Sequence, residues 1–221
     1  MHDSLDNLIR IEKEIQLNVN QSNLIIKKPK IIAVSKNFLM PKILPLIDHG
    51  HTDFGENRVQ EAISKWSDLK YKTSTVKLHM IGKLQTNKVK YVIPLFDYIH
   101  TLDNLKLAEK ISEEQLKINK NLKIFIQVNI GNEIQKSGID VNDVESFYKS
   151  CTQDFGLDII GLMCLPPVNK NSSLYFKEMR KLAESIQVKE LSMGMSNDYL
   201  EASQNGSTFI RIGSKIFGAR D

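Results

Sequence analysis

A chain of 221 residues with a formal net charge of +4 is long enough to bury one sizeable core, and its 41% hydrophobic share is that of an ordinary globule. Its basic residues are mostly lysines scattered among acids rather than gathered into a stripe, which argues against dedicated nucleic-acid binding. No apolar run approaches the roughly 18 residues that cross a bilayer, the opening MHDSLDNLIRIEKEIQ lacks a signal peptide's apolar core, and Cys151 and Cys164 sit in no CxxC or metal-ligand spacing, so the expectation is a cytoplasmic protein with two reduced thiols and no metal.

Leu5, Leu8, Ile9, Ile11 and Ile15 fall at mostly helical spacing over about residues 4–18, and the polar NVNQSN ends that helix. A strand and helix rhythm then begins. Residues 31–35 read as a buried strand, and a helix over about 41–49 opens with Pro41 and stops at Gly50. The connection after it carries His49 and His51, too few clustered ligands to point to a metal. Residues 52–55 form a short second strand before a helix with Val59, Ala62, Ile63, Trp66 and Leu69 on one face. A third strand, 76–81, turns at Gly82-Lys83 into a helix over about 86–93 ended by Pro94. The fourth pair is a strand at 97–101 and a long helix over about 103–118.

The clearest strand is 122–129, and its helix comes late, near 142–151. Residues 159–163 are the sixth strand, followed past Pro166-Pro167 by a helix over about 172–186. A short seventh strand, 190–192, precedes a helix over about 197–205 ended by Gly206. The eighth, 208–212, leads only to the short segment 214–217. Eight strands, each followed by a helical pattern with no compositional break, predict an α/β fold: a closed (β/α)8 TIM barrel with an extra N-terminal helix, one domain over residues 1–221. An open doubly wound sheet is the structural alternative.

In such a barrel the chemistry sits at the C-terminal ends of the strands. Lys36, Glu56-Asn57, Lys83, His100-Thr101, Asn129, Ser196, and Arg211 with Gly213-Ser214 all fall there. Singly, each has an ordinary reading: a lysine at a strand end snorkels to water, Asn57 and Ser196 cap helices, and Thr101 and Asn129 cap loops. The last two loops carry more. SMGMS and RIGS place small residues and exposed N–H groups before two adjacent helical segments, where barrels frequently hold a phosphate. Tight turns at Gly194 and Gly213 are the competing explanation. Arg211 shares a face with Phe209 and Gly213 in an apolar strand, so its guanidinium needs an acceptor, either a barrel carboxylate or a ligand. A phosphate cup, an arginine beside it and a lysine across the mouth fit pyridoxal 5′-phosphate. Its ring nitrogen would face Arg211 and its aldehyde would condense with Lys36, whose neutral form is favoured by burial beside a second cation.

At these residues the chain closely resembles the pyridoxal phosphate homeostasis protein family, barrels similar to the N-terminal domain of alanine racemase. The matching stretches are AVSK at 33–36, FGENRVQE at 54–61, HMIGKLQTNK at 79–88, IHTLD at 99–103, QVNIGNEIQKSG at 127–138, GLMCLPP at 161–167 and SMGMSNDYLEASQNGSTFIRIGSKIFGAR at 192–220. The resemblance implies that Lys36 forms the internal aldimine, that Ser196, Gly213 and Ser214 hold the phosphate, that Arg211 faces the pyridine nitrogen, and that Asn57 lies beside the cofactor. Lys83 departs from the pattern, where a smaller or apolar residue is expected, and the chain stops at Asp221 without the aromatic residue that often follows.

An arginine at the ring nitrogen keeps the pyridine neutral and weakens carbanion stabilisation. The resemblance assigns the second base of the related racemases to a tyrosine of an additional C-terminal β-domain, for which the eight residues after Gly213 offer no source. The expectation is a non-catalytic, monomeric protein that holds pyridoxal phosphate as a Schiff base on Lys36 and serves its homeostasis or its delivery to apoenzymes. A weak pyridoxal-phosphate-dependent amino-acid racemase is the alternative. A cofactor-free Schiff-base aldolase with a sugar phosphate in the cup is a third.

Overall fold

The computed structural model describes residues 3–20, 28–72, 75–168 and 170–218. Eight strands, β1 (Lys30–Val34), β2 (Asp53–Glu56), β3 (Lys77–Met80), β4 (Tyr98–Leu102), β5 (Lys123–Val128), β6 (Ile159–Cys164), β7 (Glu190–Ser192) and β8 (Phe209–Ile212), run parallel in chain order. The ring closes where β1 pairs with β8 through Ile31↔Ile210, Ile32↔Arg211 and Ala33↔Ile212, so the open doubly wound sheet is excluded. Both faces of each strand are covered, which is why their sequences are nearly continuous in apolar residues.

Alternation along the strands divides the core in two. Ile32, Tyr98, Phe125, Met163 and Phe209 fill the barrel interior. The neighbours of these residues, among them Ile31, Ala33, Ile99, Ile124, Ile126, Leu162 and Ile210, face outward into a larger layer under the helices. Those helices are α1 (Asp3–Asn20), α2 (Met40–Asp48), α3 (Val59–Lys72), α4 (Val89–Leu95), α5 (Leu105–Ile118), α6 (Val144–Lys149), α7 (Ser172–Ser185), α8 (Tyr199–Gln204) and α9 (Ser214–Phe217). The N-terminal helix expected from the Leu and Ile spacing buries Leu8, Ile11, Ile15 and Val19 against α2, α8 and α9, the helices beside the β8–β1 junction.

Several boundaries differ from the sequence reading. Pro94 does not end its helix: α4 runs on to Leu95, because a proline in the last turn forfeits only one N–H, and Lys120 Nζ donates to the terminal carbonyls of Pro94 and Phe96. The single helix expected near 142–151 is a 3₁₀ turn at Val141–Asp143, the α-helix α6, and a π-turn at Ser150–Asp154. Ser196 does not cap the helix that follows it; α8 begins at Tyr199 with Asp198 in the capping position. Cys151 and Cys164 are unpaired and buried, and burial pushes both thiols up to about 12. No described helix is long and apolar enough to cross a membrane.

Candidate functional site

A cavity of about 590 Å³ opens at the C-terminal end of the barrel. Lys36, Asn57, Ser196, Arg211, Gly213 and Ser214, far apart in the sequence, all line it. Lys36 follows β1 by two residues and stands half-buried in a turn; the inward facing of Ile32 continues through Val34 to the lysine, which delivers its side chain to the cavity wall. That turn is clamped from outside. Lys65 Nζ of α3 donates to Ser35 O at 2.8 Å, Ser35 Oγ donates to Glu56 Oε1 at 2.7 Å, and Asn37 N donates to Glu61 Oε1.

Across the mouth, the loops after β7 and β8 meet where Ser214 Oγ donates to Ser196 Oγ at 3.1 Å. The β7 loop turns at Gly194 with φ +90°, and a Cβ there would stand 2.5 Å from Ala202 Cβ, so only glycine lets the loop lie flat on α8. At Gly213 a Cβ would meet Val34 Cβ and Val34 O at 3.4 Å, an ordinary van der Waals contact with the neighbouring strand. Ile216 N and Phe217 N of α9 both donate to Gly213 O, so the N–H groups ahead of them, those of Ser214 and Lys215, and the two serine hydroxyls are the donors this end offers an oxyanion.

Arg211 is almost wholly buried, 5% exposed, at the floor of this cavity. No carboxylate among the described residues pairs with it directly. Its Nη1 donates to Ser192 Oγ at 2.6 Å and its Nη2 to Cys164 O at 2.8 Å, which leaves the rest of the guanidinium's five N–H donors for a ligand. Burial lowers the Arg211 pKa, opposed by the fields of Cys164 and Asp198, and the group remains a cation. Asp198 lines the same cavity with its carboxyl raised by burial; its Oδ1 accepts the Met195 N–H and so shapes the β7 loop.

The other polar residues expected at the mouth do not join the site. Glu56 points outward beneath α3, where its Oε1 accepts from Ser35, Lys65 and Trp66. Thr101 Oγ1 donates to Gly82 O, and Asn129 bonds the backbone of Glu133 in both directions, so these two cap loops. Lys83 is exposed away from the cavity. His100 lies inside the barrel rather than at its mouth, against Phe125 and Phe209, because β4 continues to Leu102 with a register shift after Ile99. Two residues that touch this interior and escaped the sequence reading are His79, a ring-to-ring neighbour of His100, and Ser192, the acceptor of Arg211. The signal that could have found them is their inward parity, which His79 shares with Lys77 on β3 and Ser192 with Glu190 on β7.

Three kinds of similarity accompany this geometry. Residues 12–221 match the family described as the alanine racemase N-terminal domain. A pyridoxal phosphate homeostasis protein of Pasteurella multocida is 37% identical over 97% of each chain, and one of Escherichia coli K12 is 32% identical over 100% of this chain and 98% of its own. PipY of Synechococcus elongatus, solved with pyridoxal phosphate bound, is 32% identical with a TM-score of 0.80, covering 94% of this chain and 100% of its own. An alanine racemase of Corynebacterium glutamicum, 15% identical with a TM-score of 0.68 over 97% of this chain and 61% of its own, shares the fold.

Proposed function

The chain belongs to the pyridoxal phosphate homeostasis protein family, and from that premise we propose that it is a non-catalytic, cytoplasmic, monomeric carrier, one barrel domain that holds pyridoxal 5′-phosphate and governs its free level or its delivery to apoenzymes. The observation that carries the reading is the convergence of Lys36, Arg211 and the Ser196–Ser214 cup on one cavity.

The residues fit the cofactor group by group. Ser196, Ser214 and the backbone at Gly213 would hold the phosphate, whose charge their donors would offset. Arg211 would offer its remaining N–H groups to the pyridine nitrogen, Asn57 would lie beside the ring, and Lys36 would supply the amine that condenses with the aldehyde as a Schiff base, with loss of water. When bound, pyridoxal phosphate supplies an electrophilic aldehyde and an electron-withdrawing ring. With an arginine rather than a carboxylate at the ring nitrogen, that ring stays unprotonated and is a poor electron sink, which favours holding over turnover. Among the described residues lining the cavity there is no tyrosine, histidine or cysteine, and its other titratable groups besides Lys36 and Arg211 are Lys170, Asp198 and Glu201.

Borohydride reduction of the protein loaded with pyridoxal phosphate, followed by peptide mass mapping, tests the reading. The expected result is a pyridoxyl adduct confined to Lys36 and absent from Lys36→Ala. No adduct at excess cofactor overturns the site assignment. Steady release of α-deuterium from amino acids, lost in Lys36→Ala, overturns the non-catalytic reading in favour of a racemase.

A further inference from the structure

Among the described residues no carboxylate hydrogen-bonds to the buried guanidinium of Arg211, although the field of Asp198 reaches it, and a line of hydrogen bonds connects it to a second aspartate. Arg211 Nη1 donates to Ser192 Oγ at 2.6 Å. Ser192 Oγ lies 2.8 Å from His100 Nδ1, His100 Nε2 lies 2.9 Å from His79 Nδ1, and His79 Nε2 lies 3.0 Å from Asp53 Oδ1. Asp53 opens β2 and pairs with Lys77, the first residue of β3, so it stands at the N-terminal end of the barrel, opposite the cavity. The line therefore crosses the barrel interior from its N-terminal end to the floor of the cavity.

Its ends determine its direction. A carboxylate only accepts and a guanidinium only donates. Burial alone would raise the Asp53 carboxyl, but the His79 and Thr52 hydrogen bonds and the Lys30 charge hold it below its ordinary value, so it is ionised. Burial lowers His79, and lowers His100 further with the repulsion of His79 and Arg211 added, so both rings are neutral and each carries one N–H. His79 must donate to Asp53 from Nε2, which makes its Nδ1 an acceptor for His100 Nε2–H. His100 Nδ1 then accepts the Ser192 hydroxyl, and Ser192 Oγ accepts from Arg211. Every donor points away from the mouth. The ring planes are held by stacking, His79 on Tyr98 at 4.2 Å and His100 on Phe125 at 4.3 Å.

We propose that Asp53, His79, His100 and Ser192 are positioning residues of the ligand site, a one-directional relay that holds Arg211 as an oriented donor to the ring nitrogen of bound pyridoxal phosphate. The proposal rests on the cofactor reading above. It assigns Asp53, at the far end of the barrel, a measurable part in ligand binding. The direct carboxylate that a buried guanidinium would ordinarily require is replaced by an aspartate four hydrogen bonds away, and the acceptor left open at the mouth is the one the ligand fills.

Two measurements test it. Nitrogen NMR of the histidine rings in the ligand-free protein is expected to show the Nε2–H tautomer at both His79 and His100; an Nδ1–H tautomer or a protonated ring at either position at neutral pH overturns the relay, whatever the protein binds. Absorbance titrations then compare pyridoxal phosphate with its deaza analogue, in which a C–H replaces the ring nitrogen. Ser192→Ala is expected to weaken pyridoxal phosphate about tenfold and Asp53→Asn about threefold, while the deaza analogue changes within about twofold in both variants. Equal losses for the two ligands would mean that the residues act on folding alone and would overturn the proposal. No binding of pyridoxal phosphate by the unaltered protein overturns the cofactor reading itself, a result distinct from a wrong tautomer.

Discussion

Ser196 and Ser214 reach one another from loops 18 residues apart, and their hydroxyls have no other described partner. If they hold the phosphate, each donates one hydrogen bond to a charged acceptor, worth about 1.5–3 kcal/mol. Ser196→Ala and Ser214→Ala are accordingly expected to weaken pyridoxal phosphate by about tenfold or more each and to leave pyridoxal, which lacks the phosphate, unchanged in the same titration. Equal losses for both ligands would remove the serines from the phosphate site. Lys36 and Arg211 were legible in the sequence because each is a charge at the end of, or within, an apolar strand, where desolvation makes it conspicuous. Asp53, His79 and Ser192 were not, since short polar residues at strand ends are commonplace. Only closure of the barrel brings the inward faces of β2, β3, β4, β7 and β8 into one line. His100 was read at the mouth because nothing in IHTLD announces the register shift that keeps it mid-strand.

The turn that presents Lys36 depends on α3 as much as on its own strand. Lys65 Nζ contacts Ser35 O, Glu56 Oε1 and Glu61 Oε1, all within 2.9 Å, and Glu61 in turn receives Asn37 N. The Lys65 and Glu56 side chains are 8% and 0% exposed, so this pair is not a solvated surface bridge. Lys65→Met keeps most of the side chain's bulk but strands the Glu56 carboxylate without a cation, and is expected to cost about 3–5 kcal/mol. Urea denaturation reads the loss directly; a cost under about 1 kcal/mol would mean that water screens the pair after all. At this scale the sequence was a fair guide to which elements exist and a poor one to where they stop. The strand at 190–192 and the segment 214–217 fall where expected. The end of α4 is settled by a partner far away in sequence, Lys120, which a local pattern does not contain.

For the molecule as a whole, the barrel was legible because a strand and helix rhythm repeated eight times has few other outcomes, and the β1–β8 pairing completes it. Enclosing imidazoles within that barrel and beneath its helices has a global consequence. His51, His79 and His100 are all lowered in the folded state, chiefly by burial. The unfolded chain takes up protons on these rings as pH falls through about 6.5, whereas the folded protein does not until each ring's own lower value is reached. Between those limits the unfolded state binds more protons, so stability rises with pH there; it is fully present above about 6.5 and drains away below. Each ring adds a slope of at most about 1.4 kcal/mol per pH step of one. Asp198, raised by burial, works in the opposite direction, and Asp53, lowered, in the same direction, but both do so in the more acidic carboxylate range. The urea midpoint is therefore expected to fall between pH 7.5 and 5.5, settings that bracket the ordinary histidine range, and His79→Gln, which removes one titrating ring, is expected to flatten the decline. A midpoint that does not move across that interval would show the interior rings to be protonated as readily as exposed ones, and water to have access to a core that the stacked Tyr98 and Phe125 rings should keep dry.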